Sequence, residues 1–328
     1  MKAICIDRYG GSEVLSLVEM AAPAPGPREV RVRNRVLGVV QLDAVRMRGE
    51  NTNIEPRVSL PFTPGSDGAG VVEALGEGVD NYQIGERVAY VSRARPGGYA
   101  DSSVVPVERL IRLPADISFE DAVVLLVSGM TCHYIVTDLW RPDAGSTVLV
   151  HAAAGGFGLA LVQWMKHLGC RVFGTVSNQA KAKVIRDAGA EAIVYTETDF
   201  VREVHRLTDG RGADFISDSV GRTTFPGSIA AAAVRGHIVL SGQPGGLVDP
   251  LSPYALQKKS LTLTGAFLPH FVAGREEYRR RASTVFEAAR AGWLSRSAGH
   301  RLALADAAEA YRLLETRRSI GKIVLLPQ

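Results

Sequence analysis

The sequence predicts an α/β fold class in which a mostly-β domain accompanies a doubly wound parallel sheet. The first observation is length, because 328 residues exceed what one hydrophobic core usually holds. The second is that the first 115 residues alternate short β-rich runs with Gly and Pro. The third is that, from about residue 118, apolar strands alternate with helical segments, as in a parallel sheet covered by helices.

The individual elements follow from local patterns, in chain order. In the N-terminal part the predicted strands are KAICI, EVRVRNRVLGVV, GAGVVEALG, RVAYV and YADSSVVP. The strands of the parallel sheet are TVLVH, RVFGTV, AIVY, ADFIS, HIVLS and LTLTG. A charged helix at about 272–291, the helix ADAAEAYRLLETRR and the strand GKIVLLP follow. Because the last strand needs a sheet to join, we expect it to return to the N-terminal domain.

Composition is that of an ordinary globular protein, with 46% hydrophobic and 22% charged residues. The net charge of +4 is too small to predict a nucleic-acid partner, and the cluster REEYRRR at 275–281 is interpreted as a solvated helix face. Three scattered cysteines, Cys5, Cys132 and Cys170, are typical of a reducing compartment. With no signal peptide and no run of about 18 apolar residues, we expect a cytoplasmic protein without a membrane partner.

The segment HAAAGGFG, at 151–158, lies between the first strand of the parallel sheet and a helix. The order of strand, glycine turn and helix is typical of a dinucleotide-binding site. Backbone N–H groups and the positive end of the helix dipole favour a pyrophosphate there, while a glycine at position 158 allows close packing. The alternative is a turn without a ligand. The candidate residues are Ala154, Gly155, Gly156, Phe157 and Gly158.

The end of the second strand, GTVSNQAKAK, indicates which dinucleotide binds. It lacks the Asp or Glu that usually accepts from the ribose 2′-OH of NAD. Ser177, Asn178 and Lys181 instead offer donors and a positive charge, which suit a 2′-phosphate. NADPH is therefore the expected cofactor. The alternative is that Ser177 and Asn178 only cap the next helix and that Lys181 is a solvated lysine, although both roles can coexist.

Several motifs occur in order over essentially the whole chain: MKAICIDRYGGSEVL, TPGSDGAGVVEALGEGV, GGYAD, TVLVHAAAGGFG, DSVG and GKIVLLP. Together they resemble the zinc-free quinone oxidoreductase, or ζ-crystallin-like, branch of the medium-chain dehydrogenase/reductase superfamily. The resemblance implies a GroES-like catalytic domain at 1–120, completed by 266–328, and a Rossmann NADPH-binding domain at 121–265. It also implies an active-site cleft at their junction, a homodimer, and hydride transfer from NADPH to a quinone or an α,β-unsaturated carbonyl acceptor.

The resemblance implies further cofactor contacts outside the glycine turn. Thr131 would lie near the nicotinamide and Tyr195 near the 2′-phosphate. Arg317, in the tail, would be a further contact. The alternatives are an ordinary strand-end aromatic for Tyr195 and a solvated helix end for Arg317. The segment after the fifth strand would contribute Leu240, Ser241, Gly242 and Gln243.

The resemblance also bears on metal binding. Zinc-dependent relatives carry a Gly-His-Glu motif, and the matching stretch here is Gly65-Ser66-Asp67, without a ligand-type residue at the His position. The three cysteines are too few and too dispersed for a four-cysteine zinc lobe. We therefore expect no metal, and an acceptor that is already electrophilic.

One departure from the family concerns the presumed substrate pocket. Relatives usually read Gly-Val-Asn, followed by Asp and Tyr, whereas the loop GVVQLDAV has Val40 and Val45 at the Asn and Tyr positions. Gln41 and Arg46 flank the site and could replace the missing polar groups only if the loop were rearranged. The change indicates drift, a pocket for a bulky hydrophobic acceptor, or loss of the usual quinone reduction. The pocket candidates are Val40, Gln41, Asp43, Val45 and Tyr134.

Structural roles compete with chemical ones at several of these positions. Asp43 is expected to cap or bridge local backbone groups, and Tyr134 to pack, although its hydroxyl could donate a proton. Cys132 and His151 are expected in the core. Two other functions stay open: an enoyl-thioester reductase, for which Arg93 and Arg95 would offer basic contacts, and a redox-silent NADPH-binding protein with a non-redox, crystallin-like or regulatory role.

Overall fold

The computed structural model describes residues 1–50, 57–92 and 97–327. The chain divides into two compact units. The first unit comprises Met1–Val127, Val272–Phe286 and Arg296–Gln328, and the second comprises Ser128–Phe271 and Glu287–Ser295.

Strands predominate in the first part of the chain, and from Thr147 onward strands alternate with helices, as the sequence pattern indicates. The strands of the described residues are β1 (Lys2–Cys5), β2 (Ser16–Glu19), β3 (Glu29–Gly38), β4 (Asp67–Leu75), β5 (Arg87–Val91), β6 (Ser102–Pro106), β7 (Leu110–Arg112), β8 (Thr147–Val150), β9 (Arg171–Val176), β10 (Glu191–Val194), β11 (Ala213–Asp218), β12 (Ala232–Leu240), β13 (Thr262–Gly265), β14 (Ala298–Ala303) and β15 (Lys322–Leu326). Their α-helices are α1 (Gln41–Met47), α2 (Phe119–Tyr134), α3 (Gly156–His167), α4 (Gln179–Asp187), α5 (Phe200–Leu207), α6 (Phe225–Ala231), α7 (Tyr254–Gln257), α8 (Leu268–Phe271), α9 (Arg275–Arg290) and α10 (Ala307–Glu315).

The first unit is built on a mostly antiparallel sheet. Its main order is β14-β15-β3-β4-β5-β7, with β6 also paired to β3. Along β3 the side chains alternate between buried and more exposed over most of its length, as a strand with one covered face requires. The closing strand β15 is antiparallel to β3, with Val324 opposite Gly38. It therefore joins the N-terminal part of the chain, as the sequence predicts.

The second unit is a six-stranded parallel sheet with the order β10-β9-β8-β11-β12-β13. All four residues of β8 are buried, which explains its continuous apolar run in place of an alternating pattern. The strand order reverses between β8 and β11, and ligands of such sheets bind outside the carboxyl ends of the strands at this reversal. The predicted doubly wound fold class is confirmed.

The predicted domain division placed all of 266–328 with the first domain, and residues 287–295 depart from it. They cluster with the second unit, and the changes of unit fall at 127/128 and 271/272. The physical reason lies in ring contacts. The ring of Trp293 stacks on His167, with ring centroids 4.0 Å apart, and meets Trp164 edge-on at 5.1 Å. Both partners lie on α3 of the second unit.

The stretch interpreted as a loop, GVVQLDAV, contains the first five residues of the helix α1. Val40 is extended and caps this helix, with φ −129°. Ala44 and Met47 are three residues apart, so they lie on one face of α1, and both join a hydrophobic cluster with Leu37 and Tyr311. The apolar face explains why a helix forms where a loop was predicted.

The basic cluster at 275–281 is only partly the solvated face that the sequence predicts. Arg279 and Arg280 on α9 are exposed. Arg281 is fully buried and donates from Nη2 to Glu277 Oε1 at 2.5 Å. The interpretation was therefore wrong for Arg281, whose charge is neutralised inside the first unit.

A membrane-length helix is present among the described residues. Phe119–Leu139 is long and apolar enough to cross a bilayer by length and composition alone, with 72% of its apolar window buried inside the structure. Such burial is equally the property of a core helix.

Candidate functional site

Four loops at the carboxyl edge of the parallel sheet carry most of the predicted cofactor residues. They follow β8, β9, β10 and β12, and parallel strands bring their carboxyl ends to one edge. The predicted residues in these loops, at their strand ends or in the first turn of the following helix are Ala154, Gly155, Gly156, Phe157, Gly158, Ser177, Asn178, Lys181, Tyr195, Leu240, Ser241, Gly242 and Gln243.

The glycine turn after β8 is tight, and it leads directly into α3. Ala152 has a left-handed backbone with φ +51°, and Gly155 N donates to Ala152 O at 3.0 Å. Gly155 is the N-cap of α3. Because glycine has no side chain, it supplies no acceptor to the first backbone N–H groups of the helix. A Cβ at Gly158 would lie 2.4 Å from Ala152 O, closer than side chains are found. Only glycine lets the turn and the helix approach in this way.

The ends of β9 and β10 are joined by hydrogen bonds. Tyr195 N donates to Val176 O at 3.0 Å, and Thr196 Oγ1 donates to Ser177 O at 3.0 Å. Ser177 and Tyr195 therefore lie at neighbouring strand ends, and Tyr195 is 39% exposed. Two residues that the sequence separates by eighteen positions are thus available to one ligand group.

One of the predicted cofactor residues, Asn178, caps the start of α4. Asn178 is the N-cap, and its Oδ1 accepts from Lys181 N at 3.0 Å. This bond uses the carbonyl of the side-chain amide and leaves its NH₂ group outside the cap. An acid for which the sequence predicted no role, Glu197, also reaches α4, because Gln179 Nε2 donates to its Oε2 at 2.7 Å.

The turn after β12 packs on the turn after β11. Ser241 N donates to Asp218 O at 2.9 Å, and a Cβ at Gly242 would lie 2.4 Å from Ser219 O. Ser241 Oγ is buried and has no hydrogen-bond partner among the described residues. A buried hydroxyl in this state is the kind of group that a ligand satisfies.

A set of buried polar residues beneath this edge was missed by sequence reasoning, apart from His151. His151 is fully buried, with Nδ1 3.0 Å from Thr175 Oγ1 and Nε2 3.1 Å from Ser228 Oγ. Burial lowers the pKa of His151 to about 4. Ser228 Oγ donates to Asp218 Oδ2 at 2.7 Å. The expected core position of His151 is confirmed, and the motif DSVG, noted in the sequence without a role for its acid, was the available signal for Asp218.

The end of α2 carries two of the predicted residues. Tyr134 is buried and stacks on Phe271, with ring centroids 4.0 Å apart and planes 6° from parallel. Thr131 lies one turn earlier on α2 and is half-buried. Burial raises the pKa of the Cys132 thiol well above its usual range. The core position predicted for Cys132 is confirmed, and Tyr134 packs as expected.

In the first unit, the predicted pocket residues lie on or beside α1. Asp43 is fully buried, and its Oδ1 accepts from Ser66 Oγ at 2.7 Å and from Arg46 Nη1 at 3.5 Å. Arg46 is also buried, and its Nη1 donates to Ser66 Oγ at 3.0 Å. Val40 and Val45 are buried, whereas Gln41 on the same helix is half-buried. Asp43 thus bonds to two side chains, and the sequence did not indicate its pairing with Arg46.

A second buried pair lies in the same unit. Lys322 Nζ lies 3.1 Å from Asp67 Oδ2, and the two side chains are 6% and 2% exposed. Gly38 makes room for the pair, because a Cβ there would lie 1.9 Å from Asp67 Oδ2. Tyr99 and Tyr311 join their hydroxyls at 3.1 Å, and burial raises the pKa of both well above its usual range, with a further increase from the Asp43 charge.

These residues do not fit a zinc ion. Ser66, at the position of the zinc-ligand His in the motif, has its hydroxyl between Asp43 and Arg46, whose guanidinium would repel a cation. Asp67 is paired with Lys322. Across 1–50, 57–92 and 97–327, no group of three His, Cys, Asp or Glu side chains could hold a metal.

The predicted contacts that remain are Arg317 and the pair Arg93 and Arg95. Arg317 is exposed and follows the C-cap of α10, with φ +56° and its N donating to Leu314 O at 3.0 Å. This is the helix-end position of the alternative interpretation. Arg93 and Arg95 lie outside the described residues.

Comparisons with known proteins match both parts of the chain. Residues 26–115 match the alcohol dehydrogenase GroES-like domain, and residues 156–287 match the zinc-binding dehydrogenase domain. A quinone oxidoreductase of Pseudomonas aeruginosa is 39% identical and a 2-haloacrylate reductase of a Burkholderia species is 35% identical, each over 99% of both chains.

Solved structures show the same likeness along the whole chain. The crystal structure of Escherichia coli quinone oxidoreductase complexed with NADPH has a TM-score of 0.94 and 32% identity, with 100% of both chains covered. The two domain matches, the full-length relatives and this structure all point to one family. The chain belongs to the medium-chain dehydrogenase/reductase superfamily and, within it, to the quinone oxidoreductase family.

Proposed function

We propose that this chain is an NADPH-dependent oxidoreductase that transfers hydride to a quinone or an α,β-unsaturated carbonyl acceptor. The observation that carries the proposal is the edge formed by the glycine turn, the donors after β9 and the buried hydroxyl of Ser241. The NADPH complex of the Escherichia coli relative supports the cofactor. The names of the quinone oxidoreductase and 2-haloacrylate reductase relatives support the acceptor class.

The glycine turn and the residues after β9 would bind different parts of the cofactor. The amides at the start of α3 would bind the pyrophosphate, and the close approach at Gly158 keeps them accessible. Ser177, the NH₂ group of Asn178, Lys181 and Tyr195 would bind the 2′-phosphate. Bound in this way, NADPH supplies the hydride. The protein positions it, excludes water and supplies hydrogen bonds.

The nicotinamide end would be held by the turn after β12. Ser241 Oγ offers a buried donor, and glycine at position 242 lets this turn pack on Ser219 in the loop after β11. Thr131 is assigned as a further contact on the family resemblance.

The acceptor pocket would be apolar and metal-free. Val40, the N-cap of α1, and Val45, within α1, replace polar groups of relatives, so a hydrophobic acceptor would gain from burial there. Asp43 is assigned a structural role, because its carboxylate already accepts from Ser66 and Arg46. Without a Lewis acid the acceptor must be activated by its own carbonyl, as quinones and enones are.

The proposal also covers the cellular location of the protein and its oligomeric state. We assign the chain to the cytoplasm, because Cys132 and Cys170 are buried free thiols and Cys5 is free. We assign it to a homodimer on the family resemblance. The outer strand β13 at one end of the parallel sheet offers a partner surface in the second unit.

The experiment that tests the proposal compares NADPH and NADH as electron donors. Purified protein is assayed for oxidation of each cofactor with quinones, enals, a 2-haloacrylate and an enoyl thioester. NADPH oxidation with a quinone or an activated alkene, at higher kcat/KM than with NADH, is expected. Reaction with the thioester alone would favour the enoyl-thioester alternative, and no oxidation with any acceptor would contradict the proposal.

A redox-silent NADPH-binding protein is the second candidate. It is favoured by one observation, the loss of two polar pocket groups at Val40 and Val45. NADPH titration separates the candidates, because the second predicts tight binding with no hydride transfer.

A further inference from the structure

Four buried side chains form a continuous hydrogen-bonded series under the carboxyl edge of the parallel sheet. We call Thr175, His151, Ser228 and Asp218 the buried chain. Its links are 3.0 Å from Thr175 Oγ1 to His151 Nδ1, 3.1 Å from His151 Nε2 to Ser228 Oγ, and 2.7 Å from Ser228 Oγ to Asp218 Oδ2. None of the four residues is more than 3% exposed. Water therefore does not compete for these bonds.

The protons of the buried chain can be arranged in one direction from the carboxylate. Ser228 has one hydroxyl proton, and Asp218 Oδ2 at 2.7 Å is a nearer acceptor for it than Thr224 O at 3.3 Å. Ser228 Oγ must then accept from His151, which places the ring proton on Nε2. His151 Nδ1 is left to accept from Thr175 Oγ1. The lowered pKa of His151 agrees with this neutral ring. One carboxylate thus determines the tautomer and the hydrogen-bond direction of three further residues.

Three members of the buried chain lie at or next to the ends of different strands, and the fourth lies in the middle of a helix. Thr175 is near the end of β9, two residues before Ser177, and His151 directly follows β8 and precedes the glycine turn. Asp218 ends β11, and its main-chain carbonyl accepts from Ser241 N after β12. Ser228 lies on α6. The buried chain therefore joins the strand ends that carry the candidate cofactor residues.

Asp218 also organises the loop on which the turn after β12 rests. Its Oδ1 accepts from three donors, at 2.8–3.0 Å: Val220 N, Gly221 N and Thr224 Oγ1. The carbonyl of Ser219, in the same loop, is the group that a Cβ at Gly242 would meet. The position of Gly242 is thus tied to the conformation that Asp218 imposes.

We propose that the buried chain is a positioning device for the dinucleotide, which sets the glycine turn, the end of β9 and the turn after β12 in one mutual arrangement. The inference rests on the proposed NADPH function and deepens it. These four residues touch no reacting atom and are positioning residues. Satisfied polar networks define one geometry where apolar packing tolerates several, and a ligand bound at three loops needs one geometry.

The test uses two variants that break the buried chain at different links. Ser228→Ala separates His151 from Asp218. Thr175→Val keeps the side-chain shape and removes the donor to His151. We expect each to raise the Kd of NADPH about tenfold, because each breaks a link that holds the cofactor loops in one mutual arrangement. At saturating NADPH, kcat should stay within about twofold, because the reacting groups are unchanged. Thr175→Ser, which keeps the hydroxyl, should restore binding.

Thr208→Val is the matched control. Thr208 is also a buried hydroxyl of the second unit, which donates to Val204 O at 2.7 Å and accepts from Gly212 N at 2.9 Å. It precedes β11, at the opposite edge of the sheet. This variant should lower the urea midpoint by an amount similar to that of Thr175→Val and leave the Kd of NADPH unchanged.

The outcomes separate the inference from the proposed function. If the wild-type protein does not bind NADPH, both fail. If it binds NADPH and Thr175→Val binds as tightly as Thr208→Val, the proposed function stands and the positioning role is overturned. The Thr175 series decides the matter even if Ser228→Ala does not fold.

Discussion

At the scale of single residues, the proposed function assigns the preference for NADPH over NADH to the charge of Lys181 at the start of α4. We predict that Lys181→Ala raises the KM for NADPH about tenfold, because a charge-assisted bond to the 2′-phosphate is lost. The KM for NADH should change little. Steady-state kinetics with both cofactors measures this difference.

Lys183 provides the control for this variant. It lies on the same helix, is exposed, and pairs with Asp187 at 2.7 Å. Lys183→Ala should leave both KM values unchanged. An unchanged KM for NADPH in Lys181→Ala would mean that the donors after β9 do not select the phosphorylated cofactor.

The buried pair of Asp67 and Lys322 gives a second residue-scale prediction. Lys322→Met leaves the Asp67 carboxylate buried without its cation, and we expect a loss of about 3–5 kcal/mol in the free energy of unfolding. The double variant with Asp67→Asn should lose less, since no uncompensated charge is left. Urea denaturation measures both. Equal losses in the two proteins would show that the ion pair is not the source of the effect.

Residue environments were predictable where they follow from apolar sequence context. Cys132 and His151 lie in apolar runs, and both are in the core. The partners of Asp43 were not predictable, because Ser66 is distant in sequence and Arg46 lies in a stretch interpreted as a loop. Pairings of this kind depend on the register between strands and helices, which a local pattern does not contain.

At the scale of elements, the turn between β8 and α3 requires glycine at position 158. Gly158→Ala would place a methyl group 2.4 Å from a backbone oxygen that cannot move without opening the turn. We predict that its Kd for NADPH rises at least about tenfold. Gly274→Ala is the control, because a Cβ there meets no atom within 4 Å. Equal Kd values for the two variants, measured by titration, would contradict this role of the turn.

Elements whose residues follow a clear hydrophobic pattern were predicted from the sequence. The short helix α1 and the domain assignment of 287–295 were not. All six predicted strands of the parallel sheet are present, because buried parallel strands are continuous apolar runs. Helix α1 was missed because seven residues give fewer than two full periods. The association of 287–295 with the second unit depends on the rings around Trp293, which no local signal indicates.

At the scale of the whole molecule, His151 makes stability depend on pH. Its folded pKa of about 4 lies below the ordinary 6.5, so between these values the unfolded chain binds more protons. The stabilisation is complete above about 6.5 and is lost as pH falls toward 4, by up to roughly 3 kcal/mol.

The comparison that isolates this effect is His151→Gln, which cannot titrate. Unfolding free energies measured across this pH range should fall more steeply for the wild type than for the variant. Parallel curves would show that protonation of His151 does not contribute.

The fold class and the family could be predicted because their signals extend over the whole chain, in order. The arrangement of the cofactor loops could not, because it depends on contacts such as Ser241 N to Asp218 O between distant segments.

The central claim is hydride transfer from NADPH bound at the edge of the parallel sheet. The most direct measurement is a single anaerobic turnover, in which protein saturated with NADPH is mixed with a quinone or an activated alkene while the absorbance of the reduced nicotinamide is followed. We predict oxidation of one NADPH per acceptor, slowed when the transferred hydrogen is deuterium. Bound NADPH that no acceptor oxidises would contradict the claim.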